Sequence, residues 1–366
     1  MTITEQSPIV VTGGAGFIGS NFVLDWIGGG EGRVVIVDKL TYAGNLRNLD
    51  TVKDHEAHIF VRGDICDREL IDGLLEKYHP RAIVHFAAES HVDRSLVSPG
   101  AFIDTNIGGT FHLLEAARKY LASLSPSDRD GFRFVHVSTD EVYGTLGPGD
   151  PPFSETTPYA PNSPYAASKA SSDLLVRSYV HSYRLPAVIT NCSNNYGPFQ
   201  FPEKLLPLIL LRAIEGKPLP VYGDGQQVRD WLYVGDHCAA LRAVLAKGRV
   251  GETYNIGGRN ELANIDTVKL LCRLLDELLP DSRLAPREQL IAFVQDRPGH
   301  DRRYAINAGK IERELGWRPA ETFASGLKKT VEWYLANRPW LEEVTSGAYR
   351  NWVETNYAKR GATCGA

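Results

Sequence analysis

Ile9-Val10-Val11-Thr12-Gly13-Gly14-Ala15-Gly16-Phe17-Ile18-Gly19 decides the fold. A short β-branched run passes straight into glycines and then into the amphipathic segment Phe17 to Trp26, so strand, tight turn and helix follow one another directly. The turn satisfies both G-x-G-x-x-G and the wider G-x-x-G-x-x-G, with Gly13, Gly16 and Gly19 at the spaced positions. Glycines there let the backbone approach a pyrophosphate closely at the helix N-terminus, where free N–H groups and the dipole favour negative charge. Asp38 follows the next β-branched run, Val34-Val35-Ile36-Val37, roughly twenty residues on, where an acid binds a ribose 2′-hydroxyl. A 2′-phosphate would face that carboxylate, so the turn is read as binding NAD rather than NADP, with the neighbouring Lys39 the one feature pointing the other way.

The pattern repeats outward from this turn. Ile59-Phe60-Val61, Ala82 to Phe86 and Phe132 to Val137 are further apolar runs separated by helical segments. Such alternation predicts an α/β, doubly wound parallel sheet of Rossmann type. Pro164 to Tyr183 has helical periodicity, and Ala187-Val188-Ile189-Thr190 continues the series. After Asn195 the prolines Pro198, Pro202, Pro207, Pro218 and Pro220 break the rhythm. The expected organisation is therefore a dinucleotide-binding domain over 1–195 that also carries the catalytic residues, a smaller lobe over 196–358 and a tail over 359–366. The smaller lobe leaves room for strands or helices that return to the first domain. Helices are expected there at Leu205 to Glu215, Gly235 to Lys247, Ile265 to Leu279 and near Phe323 to Ala336.

Composition restricts the partners. Of 366 residues 43% are apolar, enough for a packed core, and 40 basic against 44 acidic side chains leave a formal charge of −4. No global field draws such a chain to nucleic acid or anionic lipid, so an acidic ligand requires a local basic patch. Cys66, Cys192, Cys238, Cys272 and Cys364 are scattered without a C-x-x-C pair and read as reduced thiols of a cytoplasmic protein. His85 and His91 alone make a poor ligand set, so no metal is expected. No basic segment precedes an apolar one at the N-terminus, and Pro207 and Arg212 interrupt the apolar stretch near Leu205, so neither signal peptide nor membrane span is expected.

Two strings carry the chemistry. Tyr165 and Lys169 in Tyr165-Ala166-Ala167-Ser168-Lys169 lie one helical turn apart on one face, where an ammonium and an oxidised nicotinamide would lower the phenol pKa toward working pH. Ser138-Thr139-Asp140-Glu141-Val142-Tyr143-Gly144 places two carboxylates at the carboxyl end of a strand, where open parallel sheets bind ligands. Hydride transfer alone has no use for an adjacent acid and base, whereas removing water does. Thr139 offers a hydroxyl to the oxygen being oxidised.

With Ala87-Ala88-Glu89-Ser90-His91-Val92-Asp93-Arg94-Ser95, Asn194-Asn195-Tyr196-Gly197-Pro198 and Asp296-Arg297-Pro298-Gly299-His300-Asp301, these strings resemble the extended short-chain dehydrogenase/reductase superfamily. Within it the chain is similar to the dTDP-glucose 4,6-dehydratase family from Gly13 to about Tyr334. The resemblance implies that Tyr165 takes the proton of a sugar 4-hydroxyl as hydride passes to NAD. Glu141 then removes the C5 proton, Asp140 protonates the leaving C6 hydroxyl, hydride returns to C6 and C5 is reprotonated, the product entering rhamnose-type deoxysugar nucleotide synthesis. It implies a cofactor groove of Phe17, Ile18, Asp38, Lys39, Leu40, Thr41, Asp64, Ile65, Ala87, Ala88, Glu89, Thr105 and Asn195. A dTDP-glucose site is implied at Ser90, Asn194, Lys204, Leu205, Pro220, Val221, Tyr222, Arg229, Asn264, Asp296, Arg297 and His300. In it Lys204, Arg229 and Arg297 would meet the pyrophosphate and Tyr222 the pyrimidine. UDP-glucose 4,6-dehydratase would use the same machinery, while an NAD-binding regulatory protein would not need Tyr165, Lys169, Asp140 and Glu141 together.

A homodimer is expected as well. Phe102, Ile103, Ile107, Phe111, Leu113 and Leu114 on one helical segment, and Leu174, Leu175, Val176, Tyr179 and Val180 on another, cover more circumference than one sheet requires. The resemblance implies that they build a four-helix bundle.

Overall fold

The structure, a computed structural model, describes residues 3, 4, 6–280 and 283–345. The expected tail at 359–366, with Cys364, lies outside the described residues. Seven parallel strands form the main sheet in the order β3 (His58–Arg62), β2 (Val34–Asp38), β1 (Ile9–Thr12), β4 (Ala82–His85), β5 (Arg133–Thr139), β6 (Ala187–Cys192) and β10 (Thr253–Ile256). The remaining strands are β7 (Asn194–Tyr196), β8 (Leu219–Tyr222), β9 (Val228–Tyr233), β11 (Glu261–Ala263) and β12 (Ile291–Val294).

Every residue of β1, β2 and β4 is buried, because helices cover both faces of the sheet. Phe22 and Trp26 of helix Phe17–Gly28 and Leu241 and Val244 of helix Val234–Lys247 pack on one face. Helices Arg68–Tyr78, Thr110–Ser123 and Pro164–Tyr183 pack on the other, through Leu75, Leu114 and Val176 among others. The strand order reverses between β1 and β4, which opens a crevice at their carboxyl ends. Thr12 and His85 end these two strands in register, with Oγ1 and Nδ1 2.8 Å apart.

Gly13 follows Thr12 with φ +72°, and a side chain there would place its Cβ 2.7 Å from the Ala87 backbone. Gly19 lets the helix close on the turn, since its Cβ would stand 2.2 Å from the Gly13 carbonyl oxygen. The helical segment expected to carry Phe102 to Leu114 is not one uniform helix. A π-helical segment, Ile103–Gly109, precedes the α-helix Thr110–Ser123.

Past Asn195 the chain builds a second core from Ile209, Val221, Trp231, Leu271 and Val331, then re-enters the first region twice. Helix Val234–Lys247 buries Leu241 and Val244 against Phe22 and Trp26, and β10 pairs with β6 as the last strand of the sheet. In the second core β9 pairs with β7 and β11, while β8 pairs with β12. Helix Leu205–Ile214 tolerates Pro207 because it falls in the first turn, where no intrahelical N–H bond is lost.

Candidate active site

Helix Phe17–Gly28 starts without a side-chain cap, so its first amide groups remain available at the glycine turn. Asp38 ends β2 beside it. One carboxylate oxygen accepts from Ala15 N at 2.9 Å and the other from Leu40 N at 2.8 Å, an arrangement that needs the left-handed backbone of Leu40. Burial pushes the Asp38 pKa up while these two amides pull it down. Lys39 Nζ lies 2.6 Å from Asp64 Oδ2 and is therefore engaged by a carboxylate.

The crevice that begins here is lined by Gly13, Gly16, Phe17, Ile18, Gly19, Asp38, Lys39, Thr41, Asp64, Ile65, Ala87, Ala88, Glu89, Thr105 and Asn195. Leu40 contributes its amide to Asp38 and is not part of the lining. Open amides at a helix start, a fixed carboxylate at the end of the next strand and a long crevice between them suit a dinucleotide.

Thr139, Asp140, Glu141, Tyr165 and Lys169 line the same crevice, with Ser90, Asn194 and Lys204. Lys169 is 4% exposed and donates to the Val137 carbonyl at 2.9 Å. Thr139 caps the 3₁₀ turn Asp140–Tyr143 by accepting from Glu141 N, so both carboxylates stand at the carboxyl end of β5. The two acids then diverge. Asp140 is 1% exposed, and burial, the Glu141 charge and the Asp230 charge hold its pKa well above the carboxylate range. Burial also raises Glu141, but Arg297, Lys204 and Arg229 oppose the rise.

The phenol departs from expectation. Burial, and after it the Glu141 charge, push Tyr165 well above its ordinary pKa, with a hydrogen bond from Thr139 acting the other way. The expected lowering rests on two cations, one of them the nicotinamide; among the protein's own groups burial outweighs what pulls the phenol down.

The remaining substrate candidates gather on the second lobe and around Asp93. Tyr222 donates to Asp93 Oδ2 at 2.8 Å and Arg297 Nη1 to Oδ1 at 3.1 Å. Asp296 accepts from Gln227 Nε2, Arg297 N and the His300 ring. Arg229 stacks 4.3 Å from the Tyr304 ring centroid and donates to the Asp301 carbonyl. Lys204 donates to the Ser90 carbonyl at 2.7 Å. Asn194 and Asn264 each bury a carbonyl oxygen that has no hydrogen-bond partner. Leu205 packs partly buried against the second core, Pro220 is buried within β8, and Val221 is 1% exposed, so the Val221 side chain belongs to the core.

Sequence reasoning missed Asp93 as a partner of Arg297, Asn106 and the far wall of the crevice. Asn106, in the π-helical segment, exchanges hydrogen bonds with the Glu89 backbone and donates to Ser168 on the Tyr165 helix. Gln200, Phe201 and Glu203 form that wall. The proline cluster around them was the only local signal.

Comparison with known proteins agrees with this geometry. The GDP-mannose 4,6-dehydratase family model matches residues 10–330. A dTDP-glucose 4,6-dehydratase of Xanthomonas campestris pv. campestris (strain B100) is 61% identical over 93% of this chain and 97% of its own. One from Salmonella typhimurium is 58% identical over 96% of this chain and 99% of its own. The crystal structure of dTDP-glucose 4,6-dehydratase from Bacillus anthracis in complex with NAD, 47% identical, superimposes with a TM-score of 0.81 over 92% of this chain and 99% of that one. An NAD-type crevice whose strand end carries two carboxylates, matched across nearly the full length by such relatives, places the chain in the dTDP-glucose 4,6-dehydratase family.

Proposed function

We propose that the chain is an NAD-dependent hydro-lyase converting dTDP-glucose to dTDP-4-dehydro-6-deoxy-glucose. The carrying observation is that Asp140 and Glu141 share one crevice with Tyr165, Lys169 and the glycine turn. NAD, when bound there, supplies the hydride acceptor at C4 and the donor at C6, and its oxidised ring would add a second positive charge to that of Lys169. Tyr165 takes the 4-hydroxyl proton while Thr139 orients that oxygen. The resulting ketone acidifies C5–H, Glu141 removes that proton, and Asp140 delivers its own to the departing C6 hydroxyl. C6 of the resulting enone then receives the hydride and C5 regains a proton, so the net change is loss of water.

Raised pKa values suit both acids: the upward push favours the protonated form of Asp140, a group with a proton to give, and makes Glu141 a stronger base than a free carboxylate, with Arg297, Lys204 and Arg229 opposing its rise. Lys204, Arg229 and Arg297 are the cations for the diphosphate. Arg297 already faces Asp93, whereas Lys204 and Arg229 donate to carbonyls, which leaves positive charge for a ligand.

The test is a single turnover with dTDP-glucose deuterated at C4. Deuterium should appear in the C6 methyl of the product, and its loss to solvent would overturn the internal hydride return. Tyr165→Phe should abolish reduced nicotinamide formation altogether.

The dimer rests on a narrower face than its sequence pattern. Phe102, Leu113, Leu114, Val176 and Tyr179 lie in the subunit's own packing, because they point at the sheet or at the neighbouring helix. Ile103 and Phe111 remain 50% and 41% exposed, and Leu174 57%, with Ile107, Leu175 and Val180 partly buried. This strip supports a second copy as its cover. Cys66, Cys192, Cys238 and Cys272 are free thiols, which supports the cytoplasm as the compartment. Among the described residues no helix is long and apolar enough to cross a membrane.

A further inference from the structure

The Tyr165 helix carries a third buried polar residue in line with the catalytic pair. Asp173 lies one turn beyond Lys169 on the same face and is 1% exposed. Its Oδ2 accepts from Tyr159 OH at 3.0 Å and from Asn191 Nδ2 at 3.1 Å, and His136 Nε2 lies 3.1 Å from its Oδ1. Asn191 also donates to the Thr139 carbonyl at 3.1 Å, so the cluster reaches the strand end that carries the acid pair.

We propose that Asp173 is a positioning residue for hydride transfer: buried one helical turn from Lys169, it sets the electrostatic surroundings of that side chain and, through Asn191, fixes the end of β5. This rests on the reading of Tyr165 and Lys169 given above. Burial drives Lys169 toward the neutral amine, and the Asp173 charge is the foremost influence opposing it. The other groups around Lys169 do not replace that charge. Cys192 on β6 is a thiol whose pKa burial raises, and His85 on β4 and His136 on β5 are held neutral by burial. On the outer side of Asp173 a small cavity is lined by Glu155, Tyr159, Arg177 and Glu252. Tyr143 completes the cluster by donating to Asn191 and Asn255.

Asp173→Asn preserves shape and removes the charge. Lys169 then favours the amine, the phenol loses its cation, and the acid limb of the pH profile for bound NADH formation should move to higher pH. A displacement of about one unit makes the step roughly tenfold slower at a fixed pH on that limb. Substrate affinity should hold. Tyr159→Phe, which strips one donor and keeps the charge, should leave the limb in place.

A limb unmoved in Asp173→Asn, with only melting temperature lowered, overturns the proposal and leaves Asp173 structural. If that variant does not fold, lysine-¹⁵N and aspartate-¹³C NMR of the wild type decides: an ammonium and a carboxylate coexisting through neutral pH support the proposal, and a neutral amine or protonated Asp173 overturns it. If Tyr165→Phe still forms NADH, the reading of the pair fails first, so the two failures are distinguishable.

Discussion

Asp140→Asn separates oxidation from elimination. Asp140 is almost fully buried, its Oδ1 is 3.4 Å from Thr139 Oγ1 and its Oδ2 has no hydrogen-bond partner. The asparagine keeps the shape but has no proton to deliver to the C6 hydroxyl. Loss of a general acid slows its step by about 10²–10⁴-fold, equivalent to roughly 3–5 kcal/mol of barrier. In the proposed mechanism oxidation at C4 uses Tyr165 and Lys169, so it should proceed, and stopped-flow absorbance should show bound NADH that persists for many wild-type turnovers. Folding should survive. The folded-state pKa of Asp140 is raised, so the group stabilises below its unfolded pKa, and that contribution is lost as pH rises through the folded value. The asparagine carries no such loss. Its melting temperature should match or exceed that of the wild type, with a difference that grows toward alkaline pH. Unimpaired turnover would remove Asp140 as the acid, and a failure to form NADH would place it in the oxidation step.

Three further outcomes follow from the same geometry. Asp38→Ala should relax the preference for NAD over NADP, but it also strands the Ala15 and Leu40 amides at a loss of about 2–4 kcal/mol in stability; apoenzyme titrations and melting curves check both, and equal reactivation of the wild type by NADP would refute the role of Asp38. Arg94 binds Glu203 at 2.9 Å and covers the Tyr42 ring at 3.8 Å, which joins the two rims of the cofactor crevice. Arg94→Ala should cost about 3 kcal/mol by leaving Glu203 buried with its charge poorly matched, and it should hasten NAD release after dilution; an unchanged release rate would show that the rims are held otherwise. Ile103→Glu with Leu174→Glu should yield folded monomers by light scattering, while a monomeric wild type would refute the dimer.

What the sequence disclosed was local. Helices Pro164–Tyr183 and Phe323–Ala336 match their periodicity to the residue, because each buries one continuous stripe between clear boundaries. The glycine turn was legible because its steric demands lie within a few residues, apart from the Ala87 backbone that presses on Gly13. The return of helix Val234–Lys247 and of β10 to the main sheet was illegible in detail, since an apolar element looks the same whichever neighbour covers it. The π-helical segment that directs Asn106 toward Glu89 and Ser168 left no mark in a pattern that still read as helix.

The division of labour between the two carboxylates shows where sequence ends and assembly begins. Asp140 and Glu141 are adjacent, and nothing local makes one an acid and the other a base. The resemblance implies the roles, and the surroundings that support them lie mostly outside the strand that carries the pair. The Glu141 charge and the Asp230 charge on β9 reinforce burial at Asp140, and Arg229 opposes it. Glu141 answers to Arg297, Lys204 and Arg229 together, all from the second lobe. Two like groups acquire opposite tasks when their surroundings push their pKa values apart. Asp93, on the first region, pairs with Arg297 at 3.1 Å and so fixes the foremost of the cations that oppose the rise of Glu141. The acid–base pair therefore depends on the two cores being docked, and substitutions at Asp93 or Arg229 should alter elimination more than C4 oxidation.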